Sequence, residues 1–437
     1  MKQSYFPSAH SAKKPSPTAL LPLPNQSFFK KMVAFAGPGY LVAVGYMDPG
    51  NWATNLAGGS KFGYTLLSVI LISNLMAIVL QYLSIKLGVI TGKDLAQACR
   101  DYYSKPISIF LWILAEIGII ACDIAEVIGS AIGLQLLFGL PLFAGVVLTA
   151  CDVFLFLALQ HKRTHYLQGV IAFFIALIIL CFLIIILLAK PPLAAILHGL
   201  IPHKEILYNS EMLYLAVGIL GATVMPHNLY LHSALVKKYH AGSDDQKAQA
   251  VQFNSFDLVS ALTIAFFVNA AILITSAAVF YSRGLYHVAE IQDAYQLLTP
   301  LLNSNLASTA FAVALLISGQ NSTITGTLAG QIIMEGFINI QFKPWMRRLI
   351  GRALAIIPAA LSILYFGHHG LAQLLLASQI ILSLQLPFAI FPLIHFTSDS
   401  SKMSSFCNAK STMLLSLLIA FIITGLNIWL ISSSLLN

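Results

Sequence analysis

The sequence predicts an all-α integral membrane protein with about eleven transmembrane helices, built as two inverted halves that each contain one broken helix. Three observations carry that prediction. Of 437 residues, 58% are hydrophobic and only 9% charged, against about 25% charged in an ordinary soluble domain. Apolar stretches long enough to cross a bilayer as helices, about 20 residues each, recur along the chain. A proline-centred polar motif also stands in the middle of two of those stretches, five spans apart.

So few charges cannot cover a water-facing surface, so the surrounding solvent must mostly be lipid. Residues 1–27 are rich in Pro, Ser and Lys, and no apolar run follows the early lysines closely. That pattern argues against a cleaved signal peptide and for a disordered cytoplasmic tail over residues 1–30. Cys99, Cys122, Cys151, Cys181 and Cys407 are scattered and show no CxxC spacing, so no disulfide framework or thiolate cluster is implied.

The spans fall at about 33–58, 63–89, 106–138, 142–160, 166–189, 212–237, 250–281, 306–336, 346–366, 371–395 and 412–434. With the N-terminus inside, 20 of the 24 Lys and Arg residues lie in or beside cytoplasmic segments, and only Lys61, Lys190, Lys204 and Arg283 fall outside. The positive-inside rule then sets the N-terminus in the cytoplasm and the C-terminus outside. It also accounts for the net charge of +8, so no nucleic-acid partner is implied.

Span 1 contains Asp48-Pro49-Gly50-Asn51 and span 6 contains Met225-Pro226-His227-Asn228, both reading x-Pro-x-Asn. Five is odd, so the two halves enter the membrane in opposite directions. Proline removes a backbone donor and clashes with the preceding turn, so each span should break there. Interrupted helices in matching positions of inverted repeats point to a midplane binding site in a transporter. The repeats would cover about 33–189 and 212–395, with 412–434 as an extra helix.

Asp48 is a carboxylate deep in an apolar span, which costs at least ~2.5 kcal/mol unless it faces a partner or a water cavity. Asn51, three residues on, offers an amide oxygen. In span 6, Met225 offers a thioether, and the unwound segment frees carbonyls such as that of Ala222. Mg²⁺ and Ca²⁺ prefer all-oxygen shells, whereas a thioether favours softer, later metals.

The segments GPGYLVAVGYMDPGNWATNLAGG (37–59) and GATVMPHNLYLHSAL (221–235) resemble the signature regions of the Nramp family of divalent-metal transporters, in its bacterial manganese-transport branch. The likeness extends through ACDIAEVIGSAIGL (121–134) and SQIILSLQLPFAI (378–390), and so covers the chain from about residue 30. The resemblance implies a LeuT-like fold with helices 1 and 6 broken. It implies metal ligands at Asp48, Asn51, the Ala222 carbonyl and Met225, with Gln379 joining in one conformational state.

Span 3 carries Glu116, Asp123 and Glu126 near one helical stripe, and acids so placed in a membrane helix mark proton relays. His227 and His232 add groups that titrate near neutral pH, and Arg347, Arg348 and Arg352 open span 9 as candidate partners. The resemblance implies that these acids lead protons from Asp48 toward the basic residues of span 9, with His227 in a proton or gating role.

The function expected is import of Mn²⁺ and Fe²⁺, with Cd²⁺, Co²⁺ and Zn²⁺ as further candidates, coupled to H⁺ across a bacterial cytoplasmic membrane. No cofactor and no obligate protein partner is expected beyond the lipid bilayer. An organic-substrate carrier of the same architecture, or a metal-sensing receptor with a transporter-like body, stands as the alternative. An intramembrane hydrolase would need a nucleophile–base pair or an HExxH pattern, and none is found.

Overall fold

A computed structural model describes residues 35, 37–149, 164–339, 346, 350, 353–361 and 370–436. Among them there are helices and turns and no strand. The first expected span is two helices, α1 (Pro38–Gly45) and α2 (Pro49–Phe62), followed by α3 (Leu67–Thr91), a short α4 (Leu95–Tyr102), the long α5 (Lys105–Phe138) and α6 (Leu142–Thr149). After α7 (Thr164–Ala189), the sixth span again divides, into α8 (Ser210–Thr223) and α9 (Pro226–Val236). Then come α10 (Asp244–Val279), α11 (Ile291–Leu302), α12 (Asn305–Ile338), α13 (Leu371–Ser398) and α14 (Lys410–Leu436).

Seven helices of the described residues are long and apolar enough to cross a membrane, counting Ser210–Ala241 as one through its break. The fourth and ninth expected spans, at 142–160 and 346–366, reach into residues outside this description, as does the expected tail 1–30. Phe138, Phe173, Leu187, Phe267 and Phe421 stand more than 60% exposed on α5, α7, α10 and α14. Large apolar side chains facing outward in this number suit a lipid surface.

Both breaks follow from their sequence. Asp48 is extended (φ −71°, ψ 166°) and its carboxylate accepts from Asn51 N, while Pro49 occupies the first helical position of α2. An acidic N-cap followed by proline is a helix start, here set inside a membrane span. In the sixth span, Met225 caps α9 and Pro226 takes the first position.

A break frees carbonyls that lipid cannot satisfy, and neighbouring helices supply the donors. Asn269 of α10 donates from Nδ2 to the Tyr46 carbonyl at 2.6 Å and accepts from Asn55 Nδ2 at 2.9 Å. The Ser318 hydroxyl of α12 donates to the Met47 carbonyl. At the other end of α1, the Asp257 carboxylate of α10 accepts from Gly37 N at 3.2 Å and Gly39 N at 2.7 Å. Asn269→Leu keeps the branching of the side chain but strands the Tyr46 carbonyl and the Asn55 amide. The expected loss is about 1–3 kcal/mol per buried group left unpaired, read as a lower thermal midpoint in detergent; an unchanged midpoint would remove Asn269 as the brace of the break.

Two of the helices numbered here were not expected. Helix α4 starts at a capping box in which Asp94 accepts from Gln97 N and Gln97 reaches back to Asp94 N, a pattern legible as D-x-x-Q. Lys237, just past α9, donates to Asp94 Oδ2 at 2.9 Å and ties α4 to the broken span. Helix α11 lies in the segment between the seventh and eighth spans. Helix α10 begins earlier than expected, at Asp244, because Ser243 and Gln246 form a second capping box.

Candidate functional site

The breaks in spans 1 and 6 meet. Asp48 Oδ1 accepts from Asn51 N and from Asn51 Nδ2, each at 2.8 Å, and the same Nδ2 donates to the Ala222 carbonyl at 3.0 Å. Ala222 lies in the last turn of α8, where carbonyls lack intrahelical partners. One side-chain amide therefore bridges two helix ends that are 171 residues apart in sequence.

Gln379 of α13 lies directly over Gly50. A Cβ at position 50 would stand 1.8 Å from Gln379 Nε2, so only glycine admits the glutamine there. Gln379 Nε2 donates to Ser378 Oγ at 2.9 Å. Met225, three residues beyond Ala222, takes an N–H from Asn228 Nδ2 on its sulfur at 3.7 Å. Asp48, Asn51, Ala222, Met225 and Gln379 are all at most 1% exposed. Two of their oxygens, Asp48 Oδ2 and Gln379 Oε1, are buried with no hydrogen-bond partner among the described residues.

Such oxygens inside a membrane protein are costly unless something positive meets them. Among the described residues no group of three or more His, Cys, Asp or Glu is placed to hold a metal ion. A cation here would instead be held by one carboxylate, neutral amide and main-chain oxygens, and a thioether. That mixture suits a borderline transition metal better than Mg²⁺ or Ca²⁺.

The expected proton groups divide. Asp123 and Glu126 on α5 are buried and Glu116 is half-buried, accepting from Trp112 Nε1 at 3.1 Å. Cys122 Sγ lies 3.6 Å from Glu126 Oε1 and 3.8 Å from His227 Nε2, so a thiol joins the buried acid to the histidine of the second break. His232 is placed elsewhere: its Nδ1 meets Gln81 Oε1 at 2.9 Å, and Gln81 Nε2 donates to the Tyr46 hydroxyl at 2.9 Å. It thereby joins a contact of α3 and α9 with the end of α1. Arg347, Arg348 and Arg352 lie outside the described residues.

Neutral groups that carry no charge signal in the sequence also meet near the junction: Asn269, Gln81 and Cys122, together with Asn228 of the second motif. A buried amide in the middle of an apolar span needs a partner as a carboxylate does, and that signal was available for each amide.

The family model described as natural resistance-associated macrophage protein-like (Nramp) matches residues 39–433. The chain is 56% identical over 415 residues to a protein of Nostoc sp. named divalent metal cation transporter MntH, covering 94% of each. It is also 56% identical over 408 residues to the MntH of Listeria monocytogenes serotype 4b, covering 93% of this chain and 91% of that one. Among solved structures, the manganese transporter of Eremococcus coleocola, crystallised with an aromatic bis-isothiourea substituted compound, matches with TM-score 0.88 at 41% identity, over 94% of this chain and 89% of that one. A nucleobase-cation-symport-1 family transporter with bromovinylhydantoin bound matches with TM-score 0.60 at 14% identity, over 91% and 93% of the two chains. At that identity the likeness is one of fold, the LeuT-like arrangement that the family resemblance implies.

Proposed function

This chain belongs to the Nramp family, and from that premise we propose a multi-pass transporter that carries divalent metal cations, Mn²⁺ and Fe²⁺ foremost, into the cytoplasm together with protons. The observation that carries the reading is the junction of the breaks, where the Asn51 amide joins Asp48 to Ala222 while Asp48 Oδ2 and Gln379 Oε1 have no hydrogen-bond partner among the described residues. Relatives named as metal-cation transporters favour this over an organic-substrate carrier or a metal-sensing receptor.

The geometry suggests how a cation enters. The Asn51 NH₂ group now stands between Asp48 Oδ1 and the Ala222 carbonyl, the two oxygens that a cation would bridge. Binding requires that amide to turn and present its oxygen, so the cation replaces an N–H donor at both. Met225 then adds sulfur, and Gln379 adds its free oxygen. Repeats at about 33–189 and 212–395 rock about this point in alternating access, with 412–434 as an added helix.

With the N-terminus in the cytoplasm of a bacterial cell, inward-negative potential assists entry by about 2.3 kcal/mol per charge per 100 mV. Asp48 binds metal in its deprotonated form, so acidification of the binding side weakens metal binding and couples the two occupancies. Released protons pass to Glu126, Asp123 and His227, with Glu116 and the arginines at 347, 348 and 352 farther along the route. The chain needs no cofactor for this, and its remaining partner is the bilayer.

Mn²⁺ uptake into proteoliposomes carrying a luminal pH dye tests the reading. Uptake should acidify the lumen, and Glu126→Gln should suppress the acidification more than the Mn²⁺ flux. Uptake without any pH change would refute the coupling. Failure of the intact protein to take up Mn²⁺ would refute the cargo.

A further inference from the structure

We infer that Asn228 sets metal selectivity by holding the Met225 thioether in the orientation that faces the cation. The inference rests on the metal-site reading above and adds a residue to it.

Asn228 is the third residue of α9, after Pro226 and His227. A polar side chain at that position commonly reaches back to the backbone N–H of the capping residue. Here it does not. The Met225 side chain accepts no backbone N–H of α9, and the Asn228 amide donates to that side chain instead, from Nδ2 to Met225 Sδ at 3.7 Å. Its own Oδ1 is buried and has no hydrogen-bond partner among the described residues. A residue that adds an unpaired oxygen to a membrane interior lowers stability there, so its presence is better explained by what its N–H does.

A thioether turns about several bonds and has no preferred direction of its own. An N–H donated to the sulfur occupies one of its lone-pair directions and leaves the other for a metal ion. Partners that orient a metal's ligands change affinity by about 10- to 100-fold when removed. Asn228 also lies at the meeting of the breaks. A Cβ on Gly45, the last residue of α1, would stand 2.7 Å from Asn228 Nδ2 and 3.2 Å from Oδ1. The bare Cα at position 45 makes room for the amide that reaches the sulfur, so the first break shapes a ligand of the second.

The test uses full-length protein in detergent, Cd²⁺ as the soft probe and Ca²⁺ as the hard one. Titration calorimetry gives Cd²⁺ affinity, and competition against Mn²⁺ uptake gives Ca²⁺ affinity. Asn228→Leu, with the same branching but no donor, should weaken Cd²⁺ binding by about tenfold, raise KM for Cd²⁺ uptake in step, and leave the Ca²⁺ inhibition constant unchanged, so that Ca²⁺ competes better with Mn²⁺. Asn228→Gln should recover part of the loss. Gly45→Ala, which displaces the amide without altering it, should shift Cd²⁺ in the same direction. On a Met225→Ala background, Asn228→Leu should produce no further change.

Equal weakening of Cd²⁺ and Ca²⁺, or the same loss with and without the sulfur, would overturn the inference and leave Asn228 a packing residue. If the intact protein itself fails to bind Cd²⁺, the metal-site reading falls first and takes this inference with it.

Discussion

Asp48→Asn is expected to reduce Mn²⁺ uptake to that of protein-free vesicles, at least ~100-fold, while the protein stays folded. The substitution keeps the side chain's shape. Its remaining carbonyl oxygen still accepts from Asn51 N, the bond that now starts α2 at 2.8 Å, so the break survives. What disappears is the one anionic group among the proposed ligands. Moving a divalent ion out of water without a counter-charge is prohibitive, and neutral amides and carbonyls do not replace it. Stability should move little, because the change also removes a carboxylate oxygen buried without a partner. Uptake assays and thermal melts on the same preparation separate the two effects. Retention of more than a tenth of the uptake would mean that another carboxylate carries the charge.

Met225→Ala has a different signature. Transport should persist, but excess Ca²⁺ should now compete, with Mn²⁺-over-Ca²⁺ discrimination falling by about 10- to 100-fold. Oxygen ligands alone accept Ca²⁺ readily, whereas sulfur raises the affinity of softer ions without a matching gain for hard ones. Met225 is fully buried, so truncation to alanine also opens a cavity costing about 2–5 kcal/mol. Met225→Leu is the control. It conserves volume at under about 1.5 kcal/mol and should lose discrimination as fully as alanine. If the leucine variant still excludes Ca²⁺, the sulfur does not select the ion.

Much of this was legible in the chain, and the limits have physical causes. Pro49 and Pro226 announce both breaks because proline acts locally, and Asp48 with Asn51 reads as a pair because three residues span one turn. Which helix end meets which is another matter. The bond from Asn51 to the Ala222 carbonyl and the bond from Asn269 to the Tyr46 carbonyl join distant segments, and spacing along one helix says nothing about its neighbour. Gln379 entered only through family resemblance. His232 could have been separated from His227 in advance: five residues at about 100° each leave them about 140° apart around the helix. The structure accordingly turns one toward Cys122 and the other toward Gln81. Glu116 shares a stripe with Asp123, yet periodicity fixes direction and not depth, and it is only half-buried.

The unpartnered oxygens of Asp48 and Gln379 also bear on how tightly the cycle is run. Each buried group left unsatisfied costs about 1–3 kcal/mol, and a tenfold change in population corresponds to about 1.4 kcal/mol. On the proposed ligand set, a protein closed around an empty site would carry both penalties, and a bound cation would relieve both. Passage through the sealed form would thereby be rare for the unloaded carrier and ordinary for the loaded one. The lone pairs proposed to recognise the ion would then also suppress slippage, without a separate gate to sense whether the site is filled.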